Sequence, residues 1–328
     1  MAEGFFHPTQ LPIPQLDTQR LIGAMVRILP KTLLVLDIAA SPEAAQALAR
    51  NESLPDGTEC WYRFFTQEDV ARVDEPEFAM GMVRHEFCQL VKAGTRFPAQ
   101  TWLDGGGSGF CFDAQGHVLT NYHLVSGEVA NHQREAGVIG AEVPCKGLRA
   151  EIAQQDESGN WRWVPASQVY LVSNPSLQRA LWDDGQGRHH LREDTAVLRI
   201  EPAPPHSLPL SARTAQQGEP VWMAGFPLRS ARSADAKAAL GYSDADGSLR
   251  VSHGAVSSVD GSAYFETDLD GSMGNSGSPV FDAQGQVIGL FSRASGNGPK
   301  NAFEYGHMAR VHVSTELASR GLQIALPA

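Results

Sequence analysis

The chain has 328 residues, 42% of them hydrophobic and 19% charged, enough for two domains, or one two-lobed domain with an extension, and a substantial core. Its formal net charge of −11 argues against nucleic acid or an anionic membrane as a main partner, since both select basic faces, and leaves a surface suited to basic substrates. The 32 glycines and 20 prolines break the apolar stretches into short pieces, which favours a β-rich fold over a helical bundle.

The N-terminal sequence MAEGFFHPTQLPIPQLD has neither a basic leader nor an uninterrupted apolar run. The most apolar stretch, 21–40, is broken by Arg27, Pro30, Lys31 and Asp37. The chain therefore reads as a cytoplasmic protein with no membrane partner. Asp17 can cap a helix in which Leu21, Ile22, Met25, Val26 and Leu29 recur at helical spacing until Pro30 closes it. Ser41-Pro42-Glu43 opens a second helix running to about Arg50, and Thr66 to Asp69 opens a third. Residues 1–80 thus form a partly helical extension, either a small domain, a propeptide or an arm packed on the rest. Trp61, Tyr62, Phe64 and Phe65, close together with no flexible linker after them, favour the packed arm. A regulatory partner of this extension is one role open to it.

From about Val83 the period changes. HEFCQLV, GFCFD, HVLTNYHLV, QVYLV, TAVLRI, PVWMAGF, GAVSSV, SPVFD and QVIGLF are short, rich in β-branched and aromatic residues, and bounded by turn formers. The turns Asp113-Ala-Gln-Gly116 and Asp282-Ala-Gln-Gly285 are near copies, a faint internal repeat. A closing helix is expected over about 313–320, stopped by Gly321. The four cysteines, Cys60, Cys88, Cys111 and Cys145, contain no C-x-x-C pair, so they are buried thiols or form one or two bridges. Adjacent His189 and His190 suit a solvated loop better than a metal site, and neither metal nor other cofactor is expected.

Hydrolysis of an amide needs a nucleophile, a base, a group that orients the base, and donors for the oxyanion. Three blocks supply them in the order His, Asp, Ser. The first is Gly107-Ser-Gly-Phe110 followed by Leu119-Thr-Asn-Tyr-His123, which ends a strand on an imidazole. Glu193-Asp194-Thr-Ala-Val places a carboxylate before a buried strand. In Gly274-Asn-Ser276-Gly-Ser the glycines permit the tight turn that converges the Gly274 and Ser276 N–H groups.

These blocks, with Val221–Pro227 and His253–Ser257, resemble those of the trypsin-like serine peptidases, above all the bacterial glutamyl endopeptidases and high-temperature-requirement proteases. The resemblance covers about residues 83–320. It implies a mainly β fold of two six-stranded antiparallel barrels, placed at 81–205 and 206–328, the second ending in the closing helix. It also implies a serine endopeptidase acting on protein or peptide substrates, with His123, Asp194 and Ser276 as triad and Gly274 and Ser276 as oxyanion donors. Asn275 stands where animal trypsins carry an activating Asp, which argues against activation by a newly cut N-terminus. Phe291 replaces the His of the glutamyl branch. Asp270, six residues before Ser276, either floors the primary pocket, with Ser292 on its wall, or points to solvent; Arg293 could also neutralise it. The former implies preference for Arg or Lys before the cut bond. A competing expectation is a catalytically weak scaffold acting through the extension.

Overall fold

The computed structural model describes residues 5–75, 82–103, 106–125, 142–172, 179–183, 188–192, 195–211, 213–227, 249–260, 264–271, 274–295 and 305–309. Helix α1 (Thr18–Ala24) begins where Asp17 accepts the Gln19 N–H, as expected, but it stops at Ala24. Met25–Pro30 is strand β1 and not the continuation of that helix. Its two edges pair with two different strands, and Met25, Val26, Ile28 and Leu29 are all buried. A strand covered on both faces has no reason to alternate apolar and polar residues, so its run imitated helical spacing.

After β1 the chain leaves to build a separate sheet. It contains β2 (Thr32–Ile38), α2 (Pro42–Leu48), β3 (Arg50–Ser53), β4 (Glu59–Phe65), α3 (Gln67–Ala71), α4 (Met82–Lys92) and β5 (Ala99–Trp102). Ser41 caps α2 with Pro42 in its first turn, and Thr66 and Asp69 form a reciprocal capping box on α3. Strand order is β3-β4-β2-β5, with β2 and β4 parallel. Leu34, Leu36, Phe65, Val73, Phe87, Cys88 and Leu103 make its own core. HEFCQLV, read as a strand, lies in helix α4; Val83, Phe87 and Leu90 recur along one side of it and face that core.

The main body then resumes with β6 (Gly107–Cys111) and β7 (His117–Thr120), followed by β8 (Val143–Pro144), β9 (Leu148–Gln155), β10 (Trp161–Pro165) and β11 (Gln168–Leu171). Strands β12 (Arg179–Asp183) and β13 (Arg188–Arg192) form a two-stranded ribbon, so His189 and His190 lie in a strand rather than a loop. With β14 (Ala196–Glu201), the first lobe is a curled sheet ordered β10-β9-β1-β6-β7-β14-β11-β8, eight strands where six were expected. The second lobe is a closed barrel of β15 (Pro220–Gly225), β16 (Arg250–Asp260), β17 (Tyr264–Thr267), β18 (Pro279–Phe281), β19 (Val287–Ser295) and β20 (Tyr305–Ala309). The double-barrel, mainly β architecture is thus present. The expected helix at 313–320 lies outside the described residues.

Sheet membership does not follow a division at residue 80, because β1 belongs to the first lobe and residues 31–103 are inserted between β1 and β6, which are paired neighbours. A shared core joins the lobes: Met25, Phe110, Phe112, Leu119 and Val197 from the first meet Trp222, Phe226, Val251, Phe281 and Val287 from the second. Ile13 and Leu16 of the N-terminal lead enter the same core, and Phe6 exchanges backbone hydrogen bonds with Val251.

The internal repeat is geometric as well as sequential. Asp113 Oδ1 accepts the N–H groups of Gln115 at 2.9 Å and His117 at 3.1 Å. Asp282 Oδ1 accepts those of Gln284 and Gln286, each at 2.9 Å. The glycines that finish the two turns, Gly116 and Gly285, have φ of +83° and +71°. One turn joins β6 to β7 and the other β18 to β19.

Candidate active site

His123 follows β7, in a short helical turn over 122–125, and is exposed. Strand β7 pairs antiparallel with β14, with Thr120 opposite Ala196. The end of β7 that leads to His123 therefore adjoins the start of β14. Asp194 precedes that start by two positions and lies outside the described residues.

The loop that carries Ser276 arrives from the second lobe. Gly274 has φ of +90° and Gly277 φ of +84°, backbone that glycine adopts without strain. Ser276, between them, is half-buried. The Asn275 carbonyl accepts the Ser278 N–H at 2.8 Å, and the Gly277 N–H reaches the Phe291 carbonyl at 2.9 Å. Asn275 is 1% exposed, its Nδ2 directed at Met223 Sδ, 3.7 Å away. It is turned into the second barrel and holds no charge there.

The loop is bound to the first lobe through the sequence Gly107-Ser108-Gly109. Ser108 N–H donates to the Ser276 carbonyl at 2.7 Å, and Ser108 Oγ donates to the Gly274 carbonyl at 2.8 Å. Thr120 Oγ1, three residues before His123, donates to the Ser108 carbonyl at 2.7 Å. The structure thus brings the His123 strand and the Gly274–Ser276 loop together through Ser108, a residue to which sequence reasoning gave no role. Its signal was the G-S-G run, which opens the block that ends on His123 but gave Ser108 itself no task.

Asp270 is half-buried, and its carbonyl accepts Ser252 Oγ at 3.1 Å. Gly271 lies under the Phe291 ring, where an added Cβ would stand 2.7 Å from Cζ. Ser292 is only 5% exposed, packed within β19. The Arg293 side chain lies outside the described residues.

All four cysteines are buried and unbridged. Burial pushes the Cys111 thiol up to about 12, which leaves it a packing group without nucleophilic character. Asp113 is a different case. Burial on its own would raise its carboxyl, but hydrogen bonds from the His117 ring and backbone and from the Gln115 backbone outweigh it, holding the group below its ordinary range. Among the described residues no helix is long and apolar enough to cross a membrane.

Residues 107–290, more than half of the chain, match the trypsin-like peptidase domain family. Among solved structures, Deg5 is 20% identical, with 64% of this chain and 80% of that one covered and a TM-score of 0.40. The active form of the Rv3671c protease from M. tuberculosis is 18% identical, with 67% and 76% covered and a TM-score of 0.40. The HtrA-type protease AlgW with decapeptide is 16% identical, with 92% and 65% covered and a TM-score of 0.46. No curated protein sequence matches. The chain belongs to the trypsin-like peptidase domain family and is a serine endopeptidase.

Proposed function

We propose that His123, Asp194 and Ser276 are the catalytic triad and that the Gly274 and Ser276 N–H groups stabilise the oxyanion. Ser276 Oγ adds to the scissile carbonyl carbon while His123 takes its proton, and Asp194 orients the imidazole and stabilises the imidazolium. His123 then returns the proton to the leaving amine, and water, activated by the same imidazole, hydrolyses the acyl-enzyme. The observation that carries this reading is the attachment of the loop between the positive-φ glycines Gly274 and Gly277 to the strands that lead to His123.

Ser276→Ala is expected to lower turnover by on the order of 10⁶ while leaving the melting temperature near that of the wild type. Peptide cleavage and thermal melting are measured on the same preparations. A variant that keeps a tenth of the wild-type rate removes Ser276 from the mechanism.

The half-buried position of Asp270, six residues before Ser276, supports a preference for Arg or Lys before the cut bond. A carboxylate shielded there is stabilised by a bound guanidinium or ammonium. The inserted sheet at 31–103, with its own core, suits recognition of a substrate or a regulatory partner.

A further inference from the structure

We propose that Ser108 is a positioning residue for the reaction, holding the nucleophile loop so that the Gly274 and Ser276 N–H groups converge. The proposal rests on the assignment of Ser276 and its oxyanion donors made above.

Ser108 is completely buried in β6, and its N–H and its hydroxyl are both committed away from its own hairpin. The β6–β7 ladder runs over Phe110 with Leu119 and Cys111 with Val118, and stops there. Beyond it, the Ser108 N–H goes to the Ser276 carbonyl and the Ser108 carbonyl accepts Thr120 Oγ1. Its hydroxyl donates to the Gly274 carbonyl and accepts the Phe226 N–H at 3.0 Å. The Ser108 hydroxyl therefore connects the residue after β15 to the Gly274–Ser276 loop, and its backbone carbonyl adds the His123 strand.

The consequence follows from peptide planarity. Within one peptide unit the C=O and N–H point in opposite directions, so fixing a carbonyl aims the next N–H. The Asn275 carbonyl, held by Ser278, aims the Ser276 N–H. Gly274, at φ +90°, has no Cβ to restrict its backbone, and its N–H depends on restraint from elsewhere. The Ser108 hydroxyl anchors the peptide plane on the C-terminal side of the Gly274 Cα, so the Gly274 N–H moves only by rotation at that one residue. Preorganised donors act because they do not have to reorient as charge develops.

The test compares wild type, Ser108→Ala and Ser108→Cys. Removing the hydroxyl is expected to lower kcat on a peptide substrate about 10- to 1000-fold, up to the loss caused by removing an oxyanion donor outright, with KM little changed. Inhibition by a peptidyl aldehyde, whose adduct places an oxyanion, should weaken in parallel, while binding of the product peptide should not. Ser108→Cys, which keeps a weak donor, should fall between. A residue that served packing alone would lower the melting temperature and leave aldehyde and product binding in their wild-type ratio.

Folded variants with wild-type kcat overturn the proposal. If Ser108→Ala loses its cooperative melt, Ser108→Cys decides. A folded protein with reduced kcat and unchanged KM supports the role; wild-type kcat, or loss of the fold here too, overturns it. Fluorophosphonate labelling separates the two layers of the argument. An unlabelled wild type takes down the Ser276 assignment and this proposal together, whereas a labelled wild type with an indifferent Ser108→Ala takes down this proposal alone.

Discussion

At Gly277 there is no space for any side chain: a Cβ would stand 2.0 Å from the Ser108 carbonyl oxygen, on backbone already at φ +84°. Gly277→Ala is expected to cost at least about 2 kcal/mol and to displace the loop that carries Ser276, seen as a lower melting temperature with activity lost more steeply than stability. Asp194→Asn is expected to lose about 10⁴ in turnover near neutral pH, through loss of tautomer control and of the imidazolium's charge partner. A severe loss in Asp183→Asn or Asp184→Asn, with turnover kept in Asp194→Asn, would reassign the role. For Asp270, cleavage of peptides differing only before the scissile bond should favour Arg and Lys, and Asp270→Ser should abolish that preference; equal cleavage after Arg and Leu ends the idea. The residues proposed for the triad could be named from the sequence because each stands in a short block of distinctive neighbours. Ser108 could not, since a buried serine has no sequence periodicity and its role depends on partners more than a hundred residues away.

Elements were readable where their ends carry local signals. Asp17, Ser41 and Thr66 each act as the N-cap expected, because a cap is a contact within three residues. Strand β1 and helix α4 were misassigned because their burial is decided by distant neighbours, and short apolar runs look alike to a periodicity argument. The Asp113 turn carries a pH dependence of its own. Its carboxyl is depressed in the folded chain, so the stability it contributes is present above the ordinary carboxylate value of about 3.9 and is lost as pH falls through the folded value. Asp113→Asn should therefore melt lower at neutral pH and lose less on acidification than the wild type, as read from melting temperature between about pH 3 and 7. An acid profile identical to the wild type would remove this turn from the acid response.

The division of the whole molecule follows its pairing rather than its chain order. Ile28 faces Gly107 across the β1–β6 ladder, so the two ends of the inserted sheet leave the body side by side. Replacing residues 31–105 by a two-residue turn should leave the barrels folded and the Ser276 site reactive, since the shared core lies outside the excised segment. Removing everything before Met80 should instead destroy the fold, because it takes away β1 from the middle of its sheet and Ile13 and Leu16 from the shared core. A fluorophosphonate label and a cooperative melt report both outcomes. A soluble, active chain starting near Met80 would contradict this division.

The burial of β1 between β6 and β9 also sets an order of events during synthesis. The inserted sheet holds strands from 32 to 102 and can close on itself early, whereas MVRILP must wait until residue 148 is made before its second partner exists. Ile13 and Leu16 wait longer, for Trp222, Phe281 and Val287. Pairing over such separations is slow and leaves apolar edges exposed meanwhile. The Ser276 loop emerges after β6, β7 and β14, so its seat on Ser108 is made before it is. If Gly274 and Ser276 supply the oxyanion donors as proposed, a ribosome-bound fragment ending before Gly274 carries no proteolytic hazard to its neighbours.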